Sequence, residues 1–335
     1  MSAATPRVSV LLPVKDAALT LPECLASLRG QSLEEHELLA VDDGSTDGSL
    51  GLLERAAAED PRLRVLRTDT PGLVGALNTA FRAARAPLLA RMDADDVAHP
   101  ERLQRQADAL EGAGEADILG TRVAVLGGAA NAGMQAYVRW SNRLLDDAAI
   151  RRDLFVESPL VHPSVMMRAS VLLELGGYRD YDGPEDYDLW LRGAAAGFRF
   201  GKLKETLLSW RDAPARLTRK DPRYAPACFR ARKLDALLEG PLAARDAVVW
   251  GAGRIGKAWA RALRARRVKV QAFVEVDPRK IGQRIHGAPV VGVSSLSALG
   301  PALHLAAVGQ PGARERIRTE ALRRGVRDED LVAVA

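Results

Sequence analysis

The chain is 335 residues long, 47% apolar and 27% charged, the make-up of a soluble globular protein with two domains rather than one core. A net charge of +5 and a pI near 9.4 favour anionic partners such as phosphates, nucleotides or a lipid surface; with aromatics at 5% and no recognition motif, nucleic acid is not expected. No apolar run approaches the ~18 residues that span a bilayer and Met1 to Arg7 leads into no signal core, while Cys24 and Cys228 lie far apart without metal-ligand company, so a cytoplasmic protein without disulfide or zinc is expected.

Val8 to Val14 reads as a strand closing at a proline, and Leu19 to Leu28 has helical apolar spacing with Pro22 in its first turn. Glu37 to Val41 is a second strand, and it enters the acidic turn Asp42-Asp43-Gly44-Ser45-Thr46-Asp47-Gly48. A helix at Leu50 to Ala58, a strand at Leu63 to Leu66 and a helix at Val74 to Ala84 lead to Ala86-Pro87-Leu88-Leu89-Ala90, an apolar run of the length of a buried parallel strand. This alternation predicts a doubly wound sheet with its loops gathered along one edge. Directly after the last strand comes Arg91-Met92-Asp93-Ala94-Asp95-Asp96. Ligand crevices of such sheets lie outside the carboxyl ends of the strands, so the topology brings both acidic loops to one crevice. Asp93 and Asp95, at alternate positions, can offer oxygens to a hard divalent cation that keeps open positions for a diphosphate. Capping of the next helix would use one acid or serine per loop and leaves the others to be explained.

In order and spacing, Val8-Ser9-Val10-Leu11-Leu12-Pro13, Val41-Asp42-Asp43-Gly44-Ser45-Thr46-Asp47 and Ala90-Arg91-Met92-Asp93-Ala94-Asp95-Asp96 resemble the nucleotide-binding half of a family 2 inverting glycosyltransferase with the GT-A fold. The resemblance implies that Pro13 and Asp43, with Asp42 beside them, lie near the base and ribose of a nucleotide-sugar donor. It also implies that Asp93 helps hold the ribose or diphosphate and that Asp95, aided by Asp93, ligates Mn²⁺ or Mg²⁺. The family often has an arginine ahead of the helix that includes Asn78; here the chain reads Gly72-Leu73-Val74-Gly75-Ala76-Leu77-Asn78.

A helix from Pro100 to Leu110, a strand from Asp117 to Leu126 and a loop or hairpin turn at Gly127 to Gly133 follow. His162, set between Val161 and Pro163 ahead of an apolar strand, matches a segment common in the family, which makes it a candidate functional residue and a further candidate metal ligand; the ordinary alternative is a satisfied structural histidine. Gly183-Pro184-Glu185-Asp186 opens a helix with Tyr187, Trp190 and Leu191 able to share one face and two acids at its positively polarised end. Capping accounts for one acid. The family's catalytic base lies in a Glu-Asp pair at such a helix start, which maps onto Asp186 with Glu185 beside it. A last strand spans Leu203 to Trp210, and the basic stretch Arg211 to Lys220 is either a solvated loop or one that meets a diphosphate or lipid-phosphate. Cys228 to Leu238 reads as a linker helix in preference to a membrane-surface helix. Neither Gln-x-x-Arg-Trp nor membrane helices, both marks of the family's processive synthases, occur, which points to single-sugar transfer.

A second domain begins near Asp246. Ala247 to Trp250 is a strand entering Gly251-Ala252-Gly253-Arg254-Ile255-Gly256, a helix runs to about Arg266, and Val268 to Val274 is a strand ending at Glu275. Gly251, Gly253 and Gly256 would let the backbone approach a phosphate at the helix start, with Glu275 on a ribose hydroxyl. No hydride-transfer group follows, and the segment is similar to the Rossmann-like N-terminal domain of bacterial sugar O-acyltransferases, where a nucleotide sugar binds; a degenerate domain kept for packing or dimerisation is the alternative. The expected architecture is α/β: a GT-A-type doubly wound mixed sheet over 1–239 and a smaller Rossmann-like domain over 240–335. The expected activity is metal-dependent transfer from a nucleotide sugar, by family habit a UDP-sugar, to a saccharide or lipid-linked oligosaccharide in polysaccharide synthesis, with peripheral membrane contact. A non-catalytic nucleotide-sugar sensor is the alternative, and a nucleotidyltransferase ranks third.

Overall fold

Strand β1 (Val8–Val14) is buried at every position, as a strand covered on both faces must be. The computed structural model describes residues 5–112, 115–127, 132–213 and 216–335. After β1 come α1 (Leu21–Arg29), β2 (His36–Asp42), α2 (Ser49–Glu59), β3 (Leu63–Arg67), α3 (Leu73–Ala83) and β4 (Leu88–Arg91). β1 pairs in parallel with β2 on one side and β4 on the other, and β3 lies beyond β2. The chain therefore steps outward to β3 and then returns across β1 to β4, which makes the β1–β4 junction a topological switch point, the place at whose carboxyl end such sheets take their ligands.

The chain continues through β5 (Val97–Ala98), α4 (Arg102–Glu111), β6 (Ile118–Leu126), α5 (Ala132–Ser141), α6 (Asp147–Asp153), β7 (Met166–Arg168), α7 (Ala169–Glu174), α8 (Glu185–Ala195), β8 (Phe200–Arg211) and α9 (Leu217–Lys220). The sheet order is β3-β2-β1-β4-β7-β6-β8-β5, with β7 antiparallel to β4 and β6, and β5 antiparallel to β8. The eight-stranded sheet is thus mixed, as expected. Of the segment Gly127 to Gly133, Ala132 and Gly133 belong to α5; residues 128–131 lie outside the described residues, as do Pro214 and Ala215 of the basic stretch. Leu21, Cys24 and Leu28 of α1 and Leu103, Ala107 and Leu110 of α4 pack with Leu12, Leu38 and Ala90 in one core, the three- and four-residue spacing giving each helix one apolar stripe.

The second unit contains α10 (Pro226–Glu239), β9 (Asp246–Trp250), α11 (Arg254–Ala265), β10 (Val270–Val274), β11 (Arg284–Ile285), β12 (Ala288–Val291), β13 (Ala302–Ala306), α12 (Ala313–Arg323) and β14 (Leu331–Ala333). Its sheet, ordered β11-β12-β10-β9-β13-β14, is parallel except for β11. Gly251 has φ +96°, and a Cβ on Gly256 would stand 1.9 Å from Gly251 O, so the turn and the close seat of α11 both require glycine. The compact units are 1–150 with 159–223, and 151–158 with 224–335. The division thus falls near 223 rather than 239, because Leu234 and Leu237 of α10 are buried with Leu242, Leu263 and Phe273 in the second unit's core. That burial also removes the apolar face on which a membrane-surface reading of this helix rested. Among the described residues, no helix is long and apolar enough to cross a membrane.

Candidate active site

At the ends of β1 and β2 the two loops are laced together. Asp16, with φ +46°, accepts from Thr46 N at 2.7 Å, and Ala18 N donates to Asp47 at 2.9 Å. Pro13 lies buried opposite Val41. Asp42 turns its carboxylate back to Gly44 N (3.2 Å) and Ser45 N (3.3 Å), so it shapes its own turn. Asp43 instead reaches across, accepting from Gly72 N at 2.8 Å and pairing with Lys15 Nζ at 3.2 Å.

Beyond β4, Asp93, Asp95 and Asp96 each offer an oxygen within 4.8 Å of the others. The loop is fixed by its backbone: Cys24 Sγ donates to Asp93 O (3.3 Å), Thr20 Oγ1 to Ala94 O (3.1 Å) and Arg211 Nε to Asp95 O (2.6 Å). Its side chains are poorly supplied. Asp96, 1% exposed, accepts from Arg211 N at 2.7 Å, and its other oxygen has no hydrogen-bond partner among the described residues. Burial first, then the charge of Asp93, pushes the Asp95 carboxyl up to about 6; burial, Asp93 and Asp95 together push Asp96 well above the carboxylate range. Arg216, stacked 3.9 Å over the Trp210 ring, offsets part of this repulsion. Three crowded hard oxygen donors with one buried oxygen unpaired fit Mn²⁺ or Mg²⁺.

Helix α8 starts the other half. Arg192 pairs with Asp188 at 2.7 Å and donates to Leu175 O (2.6 Å) and Gly177 O (3.1 Å), which pins the helix to the preceding loop. Glu185 is 6% exposed and stands 3.5 Å from His162 Nδ1, while His162 Nε2 meets the Tyr178 hydroxyl at 3.1 Å. Asn78 clamps Tyr178, accepting its N–H at 3.0 Å and donating to its carbonyl at 2.8 Å. Asp186 is half-buried and accepts from Tyr187 N at 2.7 Å. His162 does not join the three carboxylates: both ring nitrogens face Glu185 and Tyr178, and burial, with Arg91, holds its pKa below the usual value. As placed, it lies outside the carboxylate cluster and against Glu185 at the start of α8.

Arg91 connects the halves. It is buried and forms an ion pair with Asp93; burial works against its charge, and Asp93, then Tyr178 and Glu185, sustain it. The sequence reading gave no individual role to Arg91, Asp96 or Tyr178, and Arg211 entered only as the first residue of the basic stretch. The signal for Asp96 was present in the third acid of the run; a buried arginine at a strand end has no local pattern. In the second unit, Gly251, Gly253 and Gly256 form the expected turn and helix start, but the Glu275 carboxylate is already taken by Ala252 N (3.0 Å), Val276 N (2.9 Å) and Lys280 Nζ (3.2 Å).

A family model described as "Glycosyl transferase family 2" matches residues 9–176. The chain is 32% identical over 225 residues to EpsE of Bacillus subtilis, covering 66% of this chain and 78% of that protein. It is 30% identical over 208 residues to the amylovoran biosynthesis glycosyltransferase AmsE of Erwinia amylovora, covering 61% and 75%. Among solved structures it is similar to S. aureus TarS in complex with UDP-GlcNAc (TM-score 0.57, 18% identity, 69% of this chain and 66% of that one). It is also similar to the mannosyltransferase PcManGT from Pyrobaculum calidifontis in complex with GDP-Man and Mn²⁺ (TM-score 0.50, 21% identity, 70% and 62%). At these identities the structural likeness shows the fold alone, the GT-A-type mixed sheet.

Proposed function

The chain belongs to glycosyl transferase family 2, and from that premise we propose that its first unit is a metal-dependent inverting transferase. It moves one sugar from a nucleotide sugar, a UDP-sugar first among the candidates, to a hydroxyl of a saccharide or lipid-linked oligosaccharide in bacterial surface or extracellular polysaccharide synthesis. Relatives and neighbours support the class of pathway and donor: AmsE by its description, TarS by its bound UDP-GlcNAc, PcManGT by its GDP-Man and Mn²⁺. The observation that carries the reading is the pairing, within one unit, of an undersupplied carboxylate cluster with an acidic helix start, both in the field of one buried arginine.

In this reading Pro13 and Asp43 line the nucleotide, and Asp93 and Asp95 would hold Mn²⁺ or Mg²⁺. When bound, the ion supplies Lewis-acid stabilisation of the departing diphosphate. Arg211 and Arg216 add positive charge beside it. Asp186, the more exposed of the two helix-start acids, accepts the proton of the acceptor hydroxyl as that oxygen displaces the diphosphate from the opposite face. The reaction belongs in the cytoplasm, where nucleotide sugars are made available, and a lipid-linked acceptor would be met through the basic stretch around Arg216 to Lys220. The second unit is a Rossmann-like module for a nucleotide or nucleotide sugar.

The test is Mn²⁺-dependent binding and hydrolysis of UDP-, GDP- and dTDP-sugars by the full chain. Asp186→Asn should keep donor binding and lose about 10²- to 10⁴-fold in transfer; transfer at the parent rate removes Asp186 as the base. A donor bound but never turned over would move the conclusion to a sensor. A Cβ on Gly253 meets nothing within 4 Å, so Gly253→Ala fits the fold and sets a methyl group in the path of a phosphate there. Loss of donor binding in that variant, with Asp93→Asn unaffected, would place the donor in the second unit.

A further inference from the structure

Arg91 is the last residue of β4 and its side chain is 4% exposed. Its backbone is fixed on both sides, N donating to Val165 O (2.9 Å) and O accepting from Arg102 Nη2 (2.7 Å). Its guanidinium therefore moves only through its own torsions. Its Nη1 forms the ion pair with Asp93, while Nε has no hydrogen-bond partner among the described residues. A buried guanidinium left short of partners costs free energy, which the fold retains here between two sets of acids. One is Asp93 in the carboxylate cluster. The other is Glu185, set 3.5 Å from His162, whose far nitrogen is 3.1 Å from the Tyr178 hydroxyl; both Glu185 and Tyr178 lie within the field of Arg91.

The Asp93 oxygen that meets Arg91 Nη1 is held toward the guanidinium, so a divalent ion drawing on that same oxygen competes with Arg91 for it. Resting on the reading that Asp93 and Asp95 take such an ion, we infer that Arg91 is a positioning residue for cation binding: it holds Asp93 as a resident counter-charge until the ion takes that carboxylate, then leans toward Glu185 at the start of α8. Cation binding at the donor end is thereby felt at the helix that bears Asp186. The unpartnered N–H of Arg91 Nε is what the second pairing needs.

The test titrates Mn²⁺ alone into the full chain, following free Mn²⁺ by electron paramagnetic resonance, with thermal unfolding to check the fold of each variant. Arg91→Met removes the competitor and the repulsion, and should tighten Mn²⁺ by about fivefold or more. Arg91→Lys keeps a charge within reach and should stay within about twofold of the parent. Glu185→Gln leaves the guanidinium wholly to Asp93 and should weaken Mn²⁺ by about two- to fivefold. A packing role for Arg91 would instead weaken binding in both of its variants and leave Glu185→Gln unchanged. If the parent binds Mn²⁺ and neither Arg91→Met nor Glu185→Gln moves the affinity in these opposite directions, the inference is overturned while the metal reading stands. If the parent binds no Mn²⁺, both fall together. Should Arg91→Met fail to fold, the weakening in Glu185→Gln decides the matter.

Discussion

Two loops of this chain end a parallel strand on acids and treat the charge in opposite ways. Past β10, Glu275 is partly buried, which by itself would raise its pKa, but hydrogen bonds from Val276 N, Ala252 N, Lys280 and Asp277 N hold its carboxyl below the usual range. Past β4, burial and mutual repulsion push Asp95 up to about 6 and Asp96 well above the normal value. Glu37, on β2 of the first unit, behaves as Glu275 does: Ser9, Arg64 and Arg85 supply it, and its pKa falls despite burial. A supplied carboxylate is finished as structure. An undersupplied cluster holds charge that a proton or a bound cation can settle, and that difference, rather than acidity at a strand end, separates a candidate site from a turn.

The largest test of this contrast is Asp95→Asn. Loss of a metal ligand should remove several kcal/mol of barrier lowering, on the order of 10³-fold in donor turnover or more, and EDTA on the parent should do the same. Stability should move the other way. A folded pKa of about 6 against 3.8 means that the folded state binds protons more readily than the unfolded one, so stability falls as pH rises through that window. At pH 7 the metal-free parent bears the full penalty, about 3 kcal/mol by the size of the shift, and Asp95→Asn should recover part of it. Thermal melts in EDTA measure this; a variant both inactive and less stable would break the contrast.

Acid separates the units in the second test. In the second unit, Trp250 Nε1 donates to His304 Nδ1 at 3.1 Å, which requires a neutral ring, and burial pushes His304 down to about 4 from 6.5. The unfolded state then binds more protons between those values, so this contribution is complete above pH 6.5 and lost as pH falls toward 4. The loss should approach about 3 kcal/mol, read from urea unfolding of the full chain at pH 7 and pH 4.5. His304→Gln should flatten that dependence, whereas Glu275→Gln should leave it in place.

Much of this arrangement was legible in the sequence because it rests on strand ends. Apolar runs marked β1, β2 and β4, and the parallel topology they imply delivers Asp43, Asp93 and Asp95 to one edge whatever the details of packing. The start of α8 was equally plain from Pro184 and the acids that follow. What the sequence did not yield depends on which side chain meets which across long separations. Asp42 and Asp43 are adjacent, yet one caps its own turn and the other reaches Gly72. His162 matched a familiar segment but is consumed by Tyr178 and Glu185. Helix α10 has the pattern of a linker, and only the core that accepts Leu234 and Leu237 decides to which unit it belongs.

The smallest effect sharpens the comparison most, because it asks whether Glu275 is structure alone. Glutamine at 275 keeps one acceptor oxygen for the amides of Ala252 or Val276 but puts an amide donor where the other carboxylate oxygen accepted, and it removes the counter-charge of Lys280, 3.2 Å away. The pairing with Lys280 is partly exposed and worth little by itself; the misplaced donor against a backbone N–H is the larger loss, so Glu275→Gln should cost about 1–2 kcal/mol. Donor turnover should not change, since in this account the carboxylate serves the Gly251 turn and nothing beyond it. A fall in turnover at unchanged stability would reverse the assignment: Glu275 would then be holding a ligand, and its hydrogen bond to Ala252 N would be the resting state of a site rather than the completion of a turn.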